Sequence, residues 1–214
     1  MKLYSAALSP FAARARLAIY AKALPVEILA PPGDTKSPEY LAINPMGKIP
    51  ALVLDDGTVI PESDTIVEYL ADAFPQSGLR PAKPVDIAKG RLIARVAELY
   101  VQSGGAGLFG QMNPASRDAA VVAESFAKLD NGLTHLNLFM SDDPYAVGDT
   151  LTTADCALVP TLMFQGVFGM VFGKGDLLAA HGKIAAYWAR VQKDPAAAKV
   201  LGEMQAALQA RMAG

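Results

Sequence analysis

Across residues 75–84 the chain carries Pro75, Gly78, Pro81 and Pro84 among polar side chains, and the spacing of its apolar residues changes on either side. Proline has no backbone N–H and holds φ near −65°, so no regular element runs through such a stretch. The break separates a segment whose apolar period keeps switching from one that is helical throughout. That restricts the fold to two joined domains of different class, 1–78 and 85–214.

In the first segment, Lys2 to Ala6 is short and β-like, and Phe11 to Ala23 follows with apolar positions on helical spacing. Val26 to Leu29 reads as a second strand, and Pro38 to Ile43 as a short helix inside a loop. Ala51 to Leu54 and Thr58 to Ile60 form a hairpin around Asp55-Asp56-Gly57, a dipeptide-glycine signal for a tight turn. Ser63 to Ala73 then places Ile66, Val67, Tyr69 and Leu70 at helical spacing behind a serine cap. The order β-α-β-α-β-β-α predicts an α/β domain.

Beyond the break, Val122, Phe126, Leu129, Leu133, Leu136 and Met140 alternate steps of four and three, which predicts one long amphipathic helix. Residues 85–103, 152–172, 180–193 and 196–212 read as further helices, with breaks at Gly104-Gly105, Pro144, Gly173 to Gly175 and Pro195. Thr152-Thr153-Ala154-Asp155 has the form of a capping box and marks a helix start. From Cys156 to Gly173 there is no charge over 18 residues, the threshold for a membrane helix. Pro160, Thr161, Gln165, Gly166 and Gly169 interrupt it, and a buried core helix explains that composition better than a span through lipid.

Composition removes several function classes. Of 214 residues, 19 are basic and 21 acidic, a net charge of −2 that predicts neither a nucleic acid nor an anionic membrane as partner. The single cysteine, Cys156, excludes an internal disulfide, a CxxC pair and any multi-thiolate zinc site, which suits a reducing cytoplasm. It reads as a small buried hydrophobe. Lys2 followed by an apolar stretch and Ala21-Lys22-Ala23 imitates an export leader, but Ser9, Pro10, Arg14 and Arg16 interrupt the apolar span such a leader requires.

Three short constellations in the first segment can carry chemistry. Ser9-Pro10-Phe11-Ala12 falls where the first strand turns into the first helix, among unpaired backbone donors at the positive end of a helix dipole. Ser9 there either caps the helix or serves an anion. No G-x-S-x-G surrounds it, and His135 and His181 lie in the helical half without a marked acidic partner, so a serine-histidine nucleophile is not indicated. Ile49-Pro50 starts a strand; an ordinary trans bond is the default, whereas a cis bond would leave the Ile49 backbone free to pair with an extended peptide. Glu62-Ser63-Asp64 opens the next helix, either as a cap with acidic first-turn residues or as a grip on one end of a ligand. Gly105 to Gly110 matches G-x-G-x-x-G, but it follows a helical pattern, so helix-breaking is expected there and nucleotide binding is not.

Taken together, S-P-F-A-A-R-A-R-L-A at 9–18, N-P-M-G-K-I-P-A-L at 44–52 and P-E-S-D-T-I-V-E-Y-L at 61–70 resemble the glutathione transferase superfamily, and V-G-D-T-L-T-T-A-D at 147–155 resembles the capping motif of its helical domain. The resemblance covers nearly the whole chain in the family's order. It implies a thioredoxin-like N-terminal domain that binds glutathione and an all-helical C-terminal domain that shapes a hydrophobic pocket for the second substrate. Under it, Ser9 matches the catalytic serine of zeta-like members and the position of the catalytic cysteine in omega-like ones. A hydroxyl can donate to a thiolate but cannot form a mixed disulfide, so thiol transfer is not expected. Ile49 matches the residue whose backbone pairs with the cysteinyl unit, Pro50 the cis proline, and Glu62 and Ser63 the pair that holds the γ-glutamyl end. Lys48 or Lys36 is the cation available for the glycine carboxylate. Leu8, Phe11, Tyr100, Phe109, Met112, Phe164 and Phe168 are the side chains considered for the pocket, with core packing the equal alternative for the aromatics at helical spacing.

The implied activity is attack of an activated glutathione thiol on an apolar electrophile by a cytoplasmic homodimer that needs no metal. Two rivals stand beside it. Zeta-like members use glutathione as a cofactor for cis-trans isomerisation of small dicarboxylic acids of the maleylacetoacetate or maleylpyruvate type, which demands cations; Arg14 and Arg16 are near in sequence, with bracing of the first helix their alternative role, and the helical half offers no clear basic cluster. A non-catalytic binding protein of the same fold is the other.

Overall fold

The computed structural model describes residues 1–213. In chain order the elements are β1 (Lys2–Tyr4), α1 (Pro10–Ala21), β2 (Glu27–Leu29), α2 (Pro38–Ile43), β3 (Ala51–Val53), β4 (Val59–Pro61) and α3 (Ser63–Ala73). There follow α4 (Pro84–Val96), a wider-wound π segment (Ala97–Gln102), α5 (Ser103–Phe109), α6 (Ala119–Phe139), α7 (Thr153–Val171), α8 (Gly182–Val191) and α9 (Pro195–Ala213). They form two compact units, one of Met1–Arg80 with the chain from Gln192 onward, the other of Pro81–Val191.

The first unit holds a four-stranded sheet in the order β2-β1-β3-β4. Strand β1 runs parallel to β2, with Leu3 opposite Ile28, and antiparallel to β3, with Leu3 opposite Leu52; β3 pairs antiparallel with β4 around Leu52 and Ile60. Parallel pairing of β1 and β2 needs a crossover, and α1 supplies it. Leu3 and Leu52 are fully buried. Tyr4, on the opposite face by the two-residue period of a strand, meets Tyr40 of α2 edge to face with ring centres 5.8 Å apart. This is the thioredoxin-like arrangement of sheet and helices.

Helix α1 is buried from Ala12 through Ile19 because it packs against both α3 and α9. Helices buried all round are usually apolar all round. Here Arg14 and Arg16 lie inside, each only 2% exposed. The contact with α9 departs from the sequence reading, which runs the helical domain to 214: the last helix belongs with the first unit. It buries Ala197, Val200, Leu201 and Met204, and a polar tie joins it to α1 between residues 187 positions apart, which no local pattern announces.

The second unit is entirely helical among its described elements. Asp118 caps α6 by accepting from the Ala120 N–H at 2.8 Å and the Val121 N–H at 3.2 Å, so the long helix starts three residues before the first residue of its apolar stripe, Val122. The capping box is present at the start of α7. The Asp155 carboxylate accepts from the N–H groups of Thr152 (2.8 Å) and Ala146 (2.9 Å) and from the Tyr187 hydroxyl (3.0 Å), so it joins a loop, a cap and α8. Burial pushes the Asp155 carboxyl above its ordinary range, and these donors oppose the shift. Helix α7 is the one described helix long and apolar enough to cross a membrane, and 83% of its most apolar window is buried inside the fold. It is a core helix, as its interruptions predict. Helix α8 takes its cap from α6, through Asn137 Oδ1 accepting from the Lys183 N–H (3.0 Å).

Gly104-Gly105 does not break a helix, contrary to expectation. The chain stays helical from Pro84 to Phe109 through the π segment. Glycine serves close approach there: a Cβ on Gly104 would stand 3.0 Å from the Lys128 and Leu129 backbone, and one on Gly132 would collide with the Tyr100 carbonyl. Helices α5 and α6 therefore touch backbone to backbone.

Candidate functional site

In the first unit a cleft is lined by Phe11, Asn44, Met46, Lys48, Ile49, Pro50, Glu62 and Ser63. Three segments far apart in sequence meet there: the first turn of α1, the loop before β3, and the start of α3. Five of the seven residues proposed for glutathione line it, namely Ile49, Pro50, Glu62, Ser63 and Lys48. Ser9 and Lys36 are not among the lining residues.

Ser9 is the N-cap of α1, its Oγ accepting from the Ala12 N–H at 3.2 Å. Capping consumes one lone pair and leaves the hydroxyl proton free to donate elsewhere. The cap and the anion-facing donor, alternatives in the sequence, are thus compatible in one side chain. Phe11, two residues on, is 41% exposed and lines the cleft, with the Arg14 guanidinium 5.2 Å from its ring centre.

The loop before Ser9 is held by Arg16. Its Nη1 donates to Ser5 Oγ (2.7 Å) and the Ala6 carbonyl (2.9 Å), and its Nη2 to the Ala7 carbonyl (2.7 Å). Its Nε donates to Glu203 Oε2 of α9 at 3.0 Å, while Tyr20 donates to Oε1 of the same carboxylate at 2.9 Å. Burial pulls the Arg16 guanidinium below its ordinary pKa, and Glu203 opposes that shift. Desolvation and the bond to Glu203 push the Tyr20 phenol up to about 12. Every nitrogen of Arg16 is engaged within the fold, so this arginine braces the loop and is not a free ligand for a substrate carboxylate.

The Ile49-Pro50 bond is cis, where the residues alone favour trans and the family resemblance implies cis. The preceding Lys48 carbonyl accepts two hydrogen bonds, from the Tyr40 hydroxyl (2.7 Å) and Asn44 Nδ2 (2.8 Å). Asn44 Oδ1 also accepts from the Met46 N–H (3.2 Å), an Asx turn. Gly47 closes that turn with φ +58°; a Cβ there would stand 2.7 Å from the Thr35 carbonyl and 2.9 Å from Lys36 Nζ. Lys36 therefore reaches the loop that carries Ile49. Tyr40 and Asn44, both buried, were absent from the sequence reading of the site. The Asn44-Pro45 pair was the available signal for a turn, whereas nothing local shows that Tyr40 donates eight residues ahead.

At α3 the expected serine cap is corrected. Ser63 is the first helical residue, 4% exposed, and Glu62 occupies the cap position without a side-chain cap bond. Glu62 has φ +69° and ψ 120°, a sparsely populated conformation that costs a non-glycine residue about 1–3 kcal/mol. The cap position therefore goes to a residue that neither relieves its own backbone nor satisfies the helix amides. Glu62 is exposed and borders the cleft with Ser63.

Chemically, the cleft offers a carboxylate at Glu62, an ammonium at Lys48, a buried hydroxyl at Ser63 and main chain at Ile49. That set suits an extended, peptide-like zwitterion.

Of the apolar residues, Leu8 is half-buried in the β1–α1 loop of the first unit. In the second unit Phe109, Phe164 and Phe168 form one cluster, Phe109 lying 5.1 Å from each of the other two ring centres. Phe164 and Phe168 are buried and Phe109 is 44% exposed, so the first two pack in the core and the third opens the cluster to solvent. Tyr100 lies apart on the π segment, 50% exposed and edge to face with His135 at 5.9 Å. Met112 is half-buried.

Family models described as glutathione S-transferase, N-terminal domain, and glutathione S-transferase, C-terminal domain, match residues 3–78 and 102–195. Maleylacetoacetate isomerase of Pseudomonas aeruginosa is 30% identical over 195 residues, covering 85% of this chain and 92% of the relative. Glutathione S-transferase 3 of Zea mays is 30% identical over 213 residues, covering 94% and 93%. Among solved structures, glutathione transferase F7 from Populus trichocarpa superposes with a TM-score of 0.80 at 26% identity, covering 95% of this chain and 98% of that one.

Proposed function

The chain belongs to the glutathione S-transferase family, and from that premise we propose that it binds glutathione in the cleft of the first unit and activates the thiol through the Ser9 hydroxyl for attack on an apolar electrophile. The observation that carries this reading is that Ser9 caps α1 as an acceptor only, which leaves its proton for a sulfur. Glu62 and Ser63 are assigned to the γ-glutamyl end, Ile49 beside Pro50 to the cysteinyl backbone, and Lys48, with Lys36 beside the same loop, to the glycine carboxylate. Phe109, with Tyr100 and Met112 of the same unit, is assigned to the apolar substrate. The protein is read as a cytoplasmic homodimer, in keeping with the motif resemblance.

A free thiol with pKa about 8.5 is only a few per cent thiolate at pH 7. Lowering it by about two units requires roughly 2.7 kcal/mol of preference for the anion, within reach of a hydroxyl donor at a helix N-terminus. The decisive measurement is the ultraviolet pH titration of the thiolate of bound glutathione. The wild type should depress the thiol pKa and Ser9→Ala should restore it; binding with an unshifted pKa leaves a binding protein in place of an enzyme.

The P. aeruginosa relative favours a second reading, glutathione-dependent cis-trans isomerisation of a small dicarboxylic acid. Arg16 is unavailable to it. Turnover of a cis-enedioic acid without consumption of glutathione would establish that activity over conjugation.

A further inference from the structure

We propose that Arg16, anchored by Glu203, is a positioning residue that sets where the Ser9 hydroxyl points. The inference rests on Ser9 being the thiol-activating group, and it adds a part of the chain that none of the cleft motifs contains.

The connection is short. The Ala6 carbonyl accepts from Arg16 Nη1 at 2.9 Å and also from the Ser9 N–H at 3.1 Å. Arg16 Nη2 holds the next carbonyl, Ala7, and Nη1 the Ser5 hydroxyl at the end of β1. One guanidinium thus fixes three consecutive residues of the loop, and the middle one, Ala6, is Ser9's own turn partner. A guanidinium is a rigid planar fork, so holding its Nε edge orients the edge that carries the loop. Glu203 holds that edge from α9 through Oε2, while Tyr20 bonds only its other oxygen, Oε1. The Arg16 side chain is 3% exposed and that of Glu203 is 30% exposed, so the pair is largely shielded from solvent. A brace for the sheet alone would need no contact with the Ala6 and Ala7 carbonyls.

Charge-conserving variants isolate geometry from electrostatics. Arg16→Lys keeps the cation, but one ammonium cannot span Glu203 and all three loop acceptors; Glu203→Asp keeps the anion but withdraws it by one methylene. Titration of the thiolate of bound glutathione should show each variant raising the thiol pKa by roughly 0.5–1 unit, a three- to tenfold loss of thiolate below that pKa. The KM for glutathione should change less than kcat, because the cleft residues are untouched. Combined with Ser9→Ala, Arg16→Lys should add nothing to the shift of Ser9→Ala alone. Tyr20→Phe, which loosens α9 and leaves the Arg16 fork in place, should lower the melting temperature and leave the thiol pKa alone.

Wild-type thiol pKa values in folded Arg16→Lys and Glu203→Asp overturn the proposal, and so does an equal shift in Tyr20→Phe, which would mark general loosening. Should Arg16→Lys fail to fold, Ser5→Ala removes one loop contact with little else and decides the matter: a smaller rise supports the proposal, no rise overturns it. If Ser9→Ala itself leaves the pKa unchanged, the thiol-activation reading fails; if Ser9→Ala raises it and the Arg16 and Glu203 variants do not, only the positioning role fails.

Discussion

Asn44 shows how one side chain can shape a site through the loop that it ties together. Its amide donates to the Lys48 carbonyl and its oxygen accepts from Met46, so one side chain ties both ends of the loop before Pro50. Asn44→Ala leaves Tyr40 as the sole partner of that carbonyl and should cost about 1–2 kcal/mol of stability. Calorimetric titration should show glutathione binding weakened several-fold, with little change in the pKa of the bound thiol, because Ser9 is held elsewhere. At this scale the sequence is legible where chemistry is local. Ser9, Ile49-Pro50 and Glu62-Ser63 stand beside turns that their own neighbours encode, and all except Ser9 line the cleft. Glu62 shows the limit: a polar triplet before a helix reads as a serine cap, and only the backbone reveals that the cap position fell to a residue with φ +69°.

Between elements, the pairing of α1 with α9 depends on groups that titrate. Tyr20 has a folded pKa raised to about 12, against about 10 in an unfolded chain. A raised folded value means that its contribution is fully present below pH 10 and is lost as pH rises toward 12. Urea unfolding at pH 9 and pH 11 should therefore show the wild type losing more stability over that interval than Tyr20→Phe. Helix existence was readable from apolar spacing, as Val122 to Met140 demonstrates, and so was the end marked by Thr152, whereas the cap at Asp118 was not. The passage through Gly104-Gly105 was not. A glycine that permits two backbones to meet and a glycine that ends a helix are identical in sequence, and only the opposing Lys128 and Leu129 distinguish them.

Over the whole molecule, the unit that contains the cleft is discontinuous in sequence, closing with the last helix of the chain. A chain stopped at Val191 leaves Arg16 buried among carbonyls with no carboxylate. Removing one member of such a pair costs about 3–5 kcal/mol. Its thermal transition should fall markedly, and amide hydrogen exchange should rise first in α1 and the Ser5–Ser9 loop. Exchange confined to the second unit would contradict this. The period change at Pro75–Pro84 told of two classes of structure, but membership of α9 was beyond it, since helical spacing says which face is buried and not against what. The same closure puts the order of synthesis at odds with the order of assembly. Arg16 leaves the ribosome 187 residues ahead of Glu203; at about 5–20 residues per second that is a wait of roughly 10–40 s. Throughout it, the nascent N-terminal half exposes the flank of α1 that the last helix will cover, and it offers that flank to whatever holds unfinished chains.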